Sequence, residues 1–450
     1  MTPVFDTLIR GGRLADARTV HAIDLGLRDG RVAAWLAPGT DATAAEVIDA
    51  AGHILIPGVV DAHVHLREPG LVHKEGFATG TRAAAAGGVT TVLVMPTDLP
   101  PTLTPDSFED KLRLAEGQCH VDFGLQAACT GPEHVAALAA LGAVSFEVFL
   151  GDIPDSLAAG DDANLLAMLD AIGAAGAVAG VTPATDAIIA AALAAETGNS
   201  DPLAFSRTRP PQSEAMAVAR ACAAARLTGT AVHIRQISCA PAAALLAALR
   251  QGLPGLSAET MVHNLTLTEA DTVRLGPFAK VIPPLRTDAD VAAMWQHLHA
   301  GAIDIVATDH APHLPEEKET GRTDVWAAPG GLPGVQTFLP LMIDAVAEGR
   351  LDWPALVRLC CETPARLFGL APQKGSLHPG ADADVVIIDP AAQGRIATED
   401  QLSKARVTPF DGRPLRGLPI RALLRGRTIM QHGRPEGAPT GQPLRPGRRP

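Results

Sequence analysis

Eight short runs of apolar and β-branched residues recur between residues 59 and 308, and Ala-rich helical stretches separate them. They fall at 59–64, 89–94, 120–127, 143–149, 176–181, 230–237, 257–262 and 303–308. The second, Val89-Thr90-Thr91-Val92-Leu93-Val94, is stopped by Met95-Pro96, and Phe77 to Ala86 and Ala215 to Ala225 carry helical patterning. Strands buried on both faces read as such continuous apolar runs, and helical crossovers between them make them parallel. Eight successive units predict an α/β fold, a (β/α)8 TIM barrel, over residues 57–374.

The two ends follow a different pattern. Residues 4–55 alternate apolar runs with Gly and Asp turns, and Asp29-Gly30 between Leu27-Arg28 and Arg31-Val32 is a hairpin signal. Similar material returns at Ala383 to Asp389 and at Ile420 to Arg427. Residues 1–56 and 375–435 are therefore expected to build one small β-sandwich domain from both termini. Residues 436–450, rich in Pro and Gly and locally basic from Arg445 to Pro450, read as a flexible tail.

In a barrel of this kind active groups collect at the C-terminal ends of the strands. The first strand ends in Asp61-Ala62-His63-Val64-His65, with Pro57-Gly58 before it and Glu68-Pro69-Gly70 after it. Residues i and i+2 share a face of a strand, so His63 and His65 point the same way at its lip, a spacing suited to a metal. Two packing histidines are the plainer alternative. The eighth run leads into Asp309, where a carboxylate can bind a metal and take a proton from water. A turn or helix-capping aspartate is the alternative there. His310 has the opposite parity and reads as supporting or structural, while His313 in the following loop is placed to meet substrate. His73 and His263 fall near loops at the same end.

Composition removes other classes. A net charge of -12 with no basic stripe argues against nucleic acid. The Ala-rich stretch 157–197 carries Asp161, Asp162, Asp170 and Asp186, so it reads as helices rather than a membrane span. No signal-peptide pattern opens the chain, and the six cysteines form no CxxC pair, which fits reduced thiols in a cytoplasmic protein. With no tyrosine, any mechanism that needs a phenol is excluded.

Taken together, the stretches Asp61 to Gly70, Glu75 to Gly88, Pro283-Pro284-Leu285-Arg286, Ala307 to His313 and Gly334 to Leu341 resemble the amidohydrolase superfamily. The resemblance is to its dihydroorotase, allantoinase and hydantoinase branch, and it covers essentially the whole chain. It implies a metal-dependent hydrolase that opens a cyclic amide, with Asp309 shuttling the proton. A dihydroorotase works reversibly between dihydroorotate and N-carbamoyl-aspartate.

The same resemblance implies the ligands and where they depart. His63, His65 and Asp309 match metal ligands, and Glu147 stands where many relatives have a carboxylated lysine bridging two metals. Val181 and Gln236 stand where strands five and six bring histidines, so both ligands private to the second metal are missing. The expectation is one Zn²⁺ per chain rather than two, with Glu147 completing the site and Gln236, Asp152 and His263 as weaker candidates around it. Arg67 and His313 match the dihydroorotase pair that holds the substrate carboxylate, and Thr97 stands where a contacting asparagine is expected. The stretches Glu75 to Gly80 and Val121 to Leu125 look more like allantoinase, so an allantoinase- or hydantoinase-like ring hydrolase stays open. So does a catalytically silent subunit that scaffolds aspartate transcarbamoylase. Relatives commonly form dimers or tetramers, which makes a homodimer or homotetramer the expectation here.

Overall fold

The computed structural model describes residues 4–447, and each of the eight apolar runs overlaps a parallel strand. They are β1 (Val59–Val64), β2 (Val89–Val94), β3 (Asp122–Leu125), β4 (Phe146–Phe149), β5 (Ala179–Thr182), β6 (Val232–Ile234), β7 (Leu256–Met261) and β8 (Ile305–Ala307). Consecutive strands pair in parallel from β1 to β3 and from β4 to β8. Ala127–Ala128, just past β3, pairs with β4, and a bridge from Val64 to His310 joins the last strand to the first. The result is a closed barrel, which leaves no sheet edge.

Asp61 fastens that last joint. Its carboxylate accepts from the Thr308 backbone N–H at 3.1 Å and from Thr308 Oγ1 at 2.6 Å, fully buried between β1 and β8. Burial pushes its pKa up to about 7, against the pull of those two donors. The expected helix at Phe77–Ala86 forms with those bounds, and Ala215 to Ala225 lies inside the helix Pro211–Thr228. Their apolar faces pack on the strands in one continuous core.

Strands from both ends of the chain form the second layer. A four-stranded sheet takes the order Arg31–Leu36, Asp24–Arg28, Phe5–Arg10, Ala44–Asp49. A second sheet pairs Ile54–Pro57 with Val385–Arg395, and that strand with Pro414–Leu424. Ile9, Leu25, Leu27, Val32, Leu55, Val385, Ile387 and Leu423 fill the space between them. The hairpin at Asp29-Gly30 has both residues at positive φ, 50° and 75°, as a two-residue turn of matching twist requires. Gly58 alone separates Ile54–Pro57 from β1, so this unit is welded to the barrel.

One expectation is corrected here. Residues 441–447 are not a loose tail: Phe123 N–H donates to Gln442 O, Leu444 N–H to Phe123 O and Gly447 N–H to Gly369 O, at 2.7–3.1 Å. Composition suggested mobility, but β3 leaves backbone groups at the foot of the barrel that this segment satisfies. Residues 448–450 lie outside the described residues. Among the described residues, no helix is long and apolar enough to cross a membrane.

Candidate active site

At the C-terminal mouth of the barrel, β1 and β8 bring His63, His65 and Asp309 together, one donor atom of each lying within 4.8 Å of the others. Asp309 Oδ1 is 3.4 Å from His63 Nε2 and 3.1 Å from His65 Nε2. The edge of a tetrahedron of donors around an ion with bonds of about 2.0–2.1 Å is roughly 3.3 Å, so the spacing fits one metal. The orientation of each ring fits too. His63 Nδ1 lies 2.7 Å from Glu259 Oε1, and a carboxylate only accepts, so Nδ1 carries the proton and Nε2 offers its lone pair. His65 Nδ1 is held 2.8 Å from Thr97 Oγ1. Burial, helped by the Arg67 charge, lowers His65 to about 4, so it stays neutral and able to ligate. Burial opposes ionisation of Asp309, but the His63 and His65 rings beside it outweigh that and hold its carboxyl below the usual range.

Four non-glycine residues around the cavity at this mouth, Arg67, Asp152, Gln236 and Asp309, adopt φ of 59°, 56°, 51° and 48°. Non-glycine residues visit that region at a cost of order 1 kcal/mol or more, and such strain concentrates at working sites. Here all four line one cavity, each at or just beyond a strand end.

That cavity has a volume of about 240 Å³ and is lined by His63, His65, Arg67, Thr97, Gln236 and Asp309 on its polar side. Met95, Phe149, Ile153, Ile189 and Ile282 line it elsewhere. Arg67 is the one of its three arginines that no acid claims among the described residues. Arg209 is clamped by Asp152 at 2.8 Å through both oxygens, and Arg286 lies 3.3 Å from Glu214. The Arg67 Nε has no hydrogen-bond partner although it is buried, and Nη2 reaches only His313 Nε2 at 3.3 Å.

Several other expected residues sit elsewhere. Glu147 does not join the three: its Oε2 accepts from Arg235 Nε at 3.0 Å and its Oε1 from Thr182 Oγ1 at 2.6 Å. A glutamate is several bonds shorter than a carboxylated lysine, and a buried guanidinium beside it takes both its charge and its reach. Gln236 turns its amide N–H toward the cluster instead; its Nε2 donates to Asp309 Oδ2 at 2.6 Å. Asp152 is spent on Arg209. Thr97 lines the cavity but uses its hydroxyl on His65, and His313 stands behind Arg67, within 3.2 Å of Lys74 Nζ and 3.1 Å of Gly330 O. His263 is buried, its Nε2 has no partner, and desolvation lowers it to about 4. His310 accepts from the backbone N–H groups of Gly334 and Val335 through Nδ1, which makes it a brace for the loop. His73 is exposed, 3.9 Å from Glu317.

The opposite parity of His233 to Gln236 sets it aside as a metal ligand, and two residues grouped with His233, Arg235 and Glu259, escaped the sequence reading. All three are fully buried, and His233 Nε2 and Arg235 Nη1 both donate to Glu259 Oε2, at 3.1 and 3.2 Å. A signal was available. His233 and Arg235 sit at i and i+2 in one apolar run and Glu259 in the next, and charges in buried strands must find each other. A second acidic group, Asp122, Asp382 and Asp384, already holds the cation it needs: Lys374 Nζ lies 2.5–2.9 Å from all three.

A closed parallel barrel with a histidine pair on its first strand and an aspartate after its last defines a class of metal-dependent hydrolases. The chain belongs to the amidohydrolase family, whose model matches residues 54–418. It is an enzyme of the branch that holds the allantoinases, hydantoinases and dihydroorotases. It is 37% identical to an allantoinase from Rubrobacter xylanophilus, over 99% of this chain and 98% of that protein. It is also 37% identical to a dihydroorotase from Halobacterium salinarum, over 94% and 96%. The solved L-hydantoinase from Arthrobacter aurescens superposes with a TM-score of 0.95 at 32% identity, covering 98% of this chain and all of that one.

Proposed function

We propose that this enzyme hydrolyses the C–N bond of a cyclic amide that carries a carboxylate, dihydroorotate or a close relative, at a centre with one Zn²⁺ per chain. One observation carries the reading: a half-buried arginine, Arg67, whose buried Nε has no partner and which no acid claims among the described residues, opens on the same cavity as the His63, His65 and Asp309 cluster. A guanidinium fork pairs with a carboxylate more strongly than with a neutral group. His63, His65 and Asp309 would hold the metal, which supplies Lewis-acid polarisation and a lowered water pKa. Glu259 and Thr97 keep the two rings aimed. Asp309 is placed to take a proton at one carboxylate oxygen and return it to the leaving nitrogen, while Gln236 steadies the other oxygen. Arg67 would orient the ring by its carboxylate, with His313 and Lys74 stiffening it from behind.

A second reading has its own support. The apolar wall of Met95, Phe149, Ile153, Ile189 and Ile282 suits a ring with an apolar substituent, and allantoinases and hydantoinases stand among the similar proteins. Hydrolysis of dihydroorotate, allantoin, hydantoin and dihydrouracil, with and without added Zn²⁺, separates the two. The expected result is Zn²⁺-dependent opening of dihydroorotate, abolished by His63→Ala. Opening of allantoin or hydantoin with dihydroorotate untouched would hand the substrate to the second reading. Activity that survives His63→Ala would remove the metal site from both. For the assembly we propose a homodimer or homotetramer in the cytoplasm, which light scattering of the purified chain tests.

A further inference from the structure

The inner part of the barrel mouth is built around a guanidinium. Arg235, fully buried just past β6, donates through Nε to Glu147 Oε2 at 3.0 Å. Its Nη1 donates to Glu259 Oε2 at 3.2 Å and to the Ala62 carbonyl at 3.3 Å, and its Nη2 to Gln126 Oε1 and to Ser145 Oγ at 3.3 Å. Every partner is an oxygen, and two are carboxylates. This is the donor set a hard cation takes, with an arginine in the cation's place. The neighbouring strand makes room for it: a Cβ on Gly180 would stand 2.6 Å from Glu147 Oε2 and 2.7 Å from Arg235 Nε. The group also reaches the metal ligands. The second oxygen of Glu259 holds His63 Nδ1 at 2.7 Å, so the guanidinium acts on His63 through one carboxylate.

We propose that Arg235 is a tethered cation occupying the inner half of the site. It neutralises Glu147 and Glu259, pins Glu259 against His63, and so restricts the centre to a single exchangeable divalent ion. The proposal rests on the one-metal reading above and goes beyond it by naming what stands in for a second ion. Arginine suits the task for two reasons. It keeps its charge at any working pH, and its planar fork spans two carboxylates that an ammonium would reach only one at a time. Arg235 is thus a positioning residue: it lies beneath the open cavity, on the inner side of the site, and acts there through Glu147 and Glu259.

The test loads the full chain with Co²⁺ and reads stoichiometry by native mass spectrometry, affinity by chelator competition and geometry from the visible bands of bound Co²⁺. Wild type is expected to take one Co²⁺. Arg235→Met, which keeps bulk without charge, should bind it 10–100-fold more weakly, with altered bands, as loss of a partner behind a metal ligand does. Arg235→Lys should recover only part of that affinity. Unchanged affinity and bands in a folded Arg235→Met chain overturn the proposal. If that variant does not fold, Arg235→Lys decides in its place, and wild-type affinity and bands there overturn it equally. Two tightly held Co²⁺ in wild type would overturn it by showing the inner half free. No Co²⁺ at all would instead bring down the one-metal reading, and this proposal with it.

Discussion

Glu147 and Arg235 show how far single residues can be read. The histidine pair at 63 and 65 was legible because strand geometry alone puts i and i+2 on one face, and Asp309 because it follows an apolar run. Glu147 stands where the resemblance puts a ligand, but a matching position does not say which neighbour claims a charge inside a barrel. The neighbour, Arg235, lies 88 residues away. At this scale two outcomes are expected. Arg67→Met should cost about 1.5–3 kcal/mol of binding to a carboxylated ring, roughly 10–100-fold in KM, and leave neutral rings little changed. Steady-state kinetics on dihydroorotate and dihydrouracil checks it, and equal loss on both would speak against a carboxylate contact. Gly180→Ala forces a methyl group into the Glu147–Arg235 pair and should destabilise the fold by about 1–3 kcal/mol in urea denaturation.

Among elements, strands were easier to place than the loops after them. Periodicity located all eight runs, yet it says nothing of how the loop after β8 is held. That loop is pinned by two lysines as well as by packing. Lys318 Nζ donates to Lys280 O at 2.8 Å and Pro329 O at 3.0 Å, and Lys280 Nζ to Val325 O at 2.8 Å. Both hold the segment that carries Gly330 and Gly331 to the cavity wall. Burial, with the Lys280 and Arg67 charges nearby, lowers Lys318 to about 7, against roughly 10.4 for a free lysine. Between those values the unfolded chain binds more protons than the folded one, so stability should rise with pH above 7. The rise is cleanest up to about pH 8.5, because beyond it the unfolded thiols ionise while the buried ones, raised by desolvation, do not. Urea midpoints at pH 7.0 and 8.5 should differ more for wild type than for Lys318→Met. A variant with the full wild-type rise would show that Lys318 is not its source.

At the scale of the molecule, the pairing of the two ends was legible because both carry the same short β pattern. What composition could not show is how they are locked to the barrel. Lys374 sits buried among Asp122 at the start of β3 and Asp382 and Asp384 before Val385–Arg395, and Arg425 also meets Asp122. Removing one partner of a buried ion cluster leaves uncompensated charge, so Lys374→Met should cost about 3–5 kcal/mol. Differential scanning calorimetry should show the loss as one lowered transition rather than two, because the cluster belongs to both units. Two separated transitions would mean that the barrel and the terminal sheets melt independently.

That cluster also bears on synthesis. Asp122 emerges from the ribosome some 250 residues before Lys374 and about 300 before Arg425, so during translation the growing barrel carries an acid whose counter-charges have yet to be made. A nascent chain halted before residue 374 should remain open and protease-sensitive at β3, and tighten only when the last sixth or so of the polypeptide arrives.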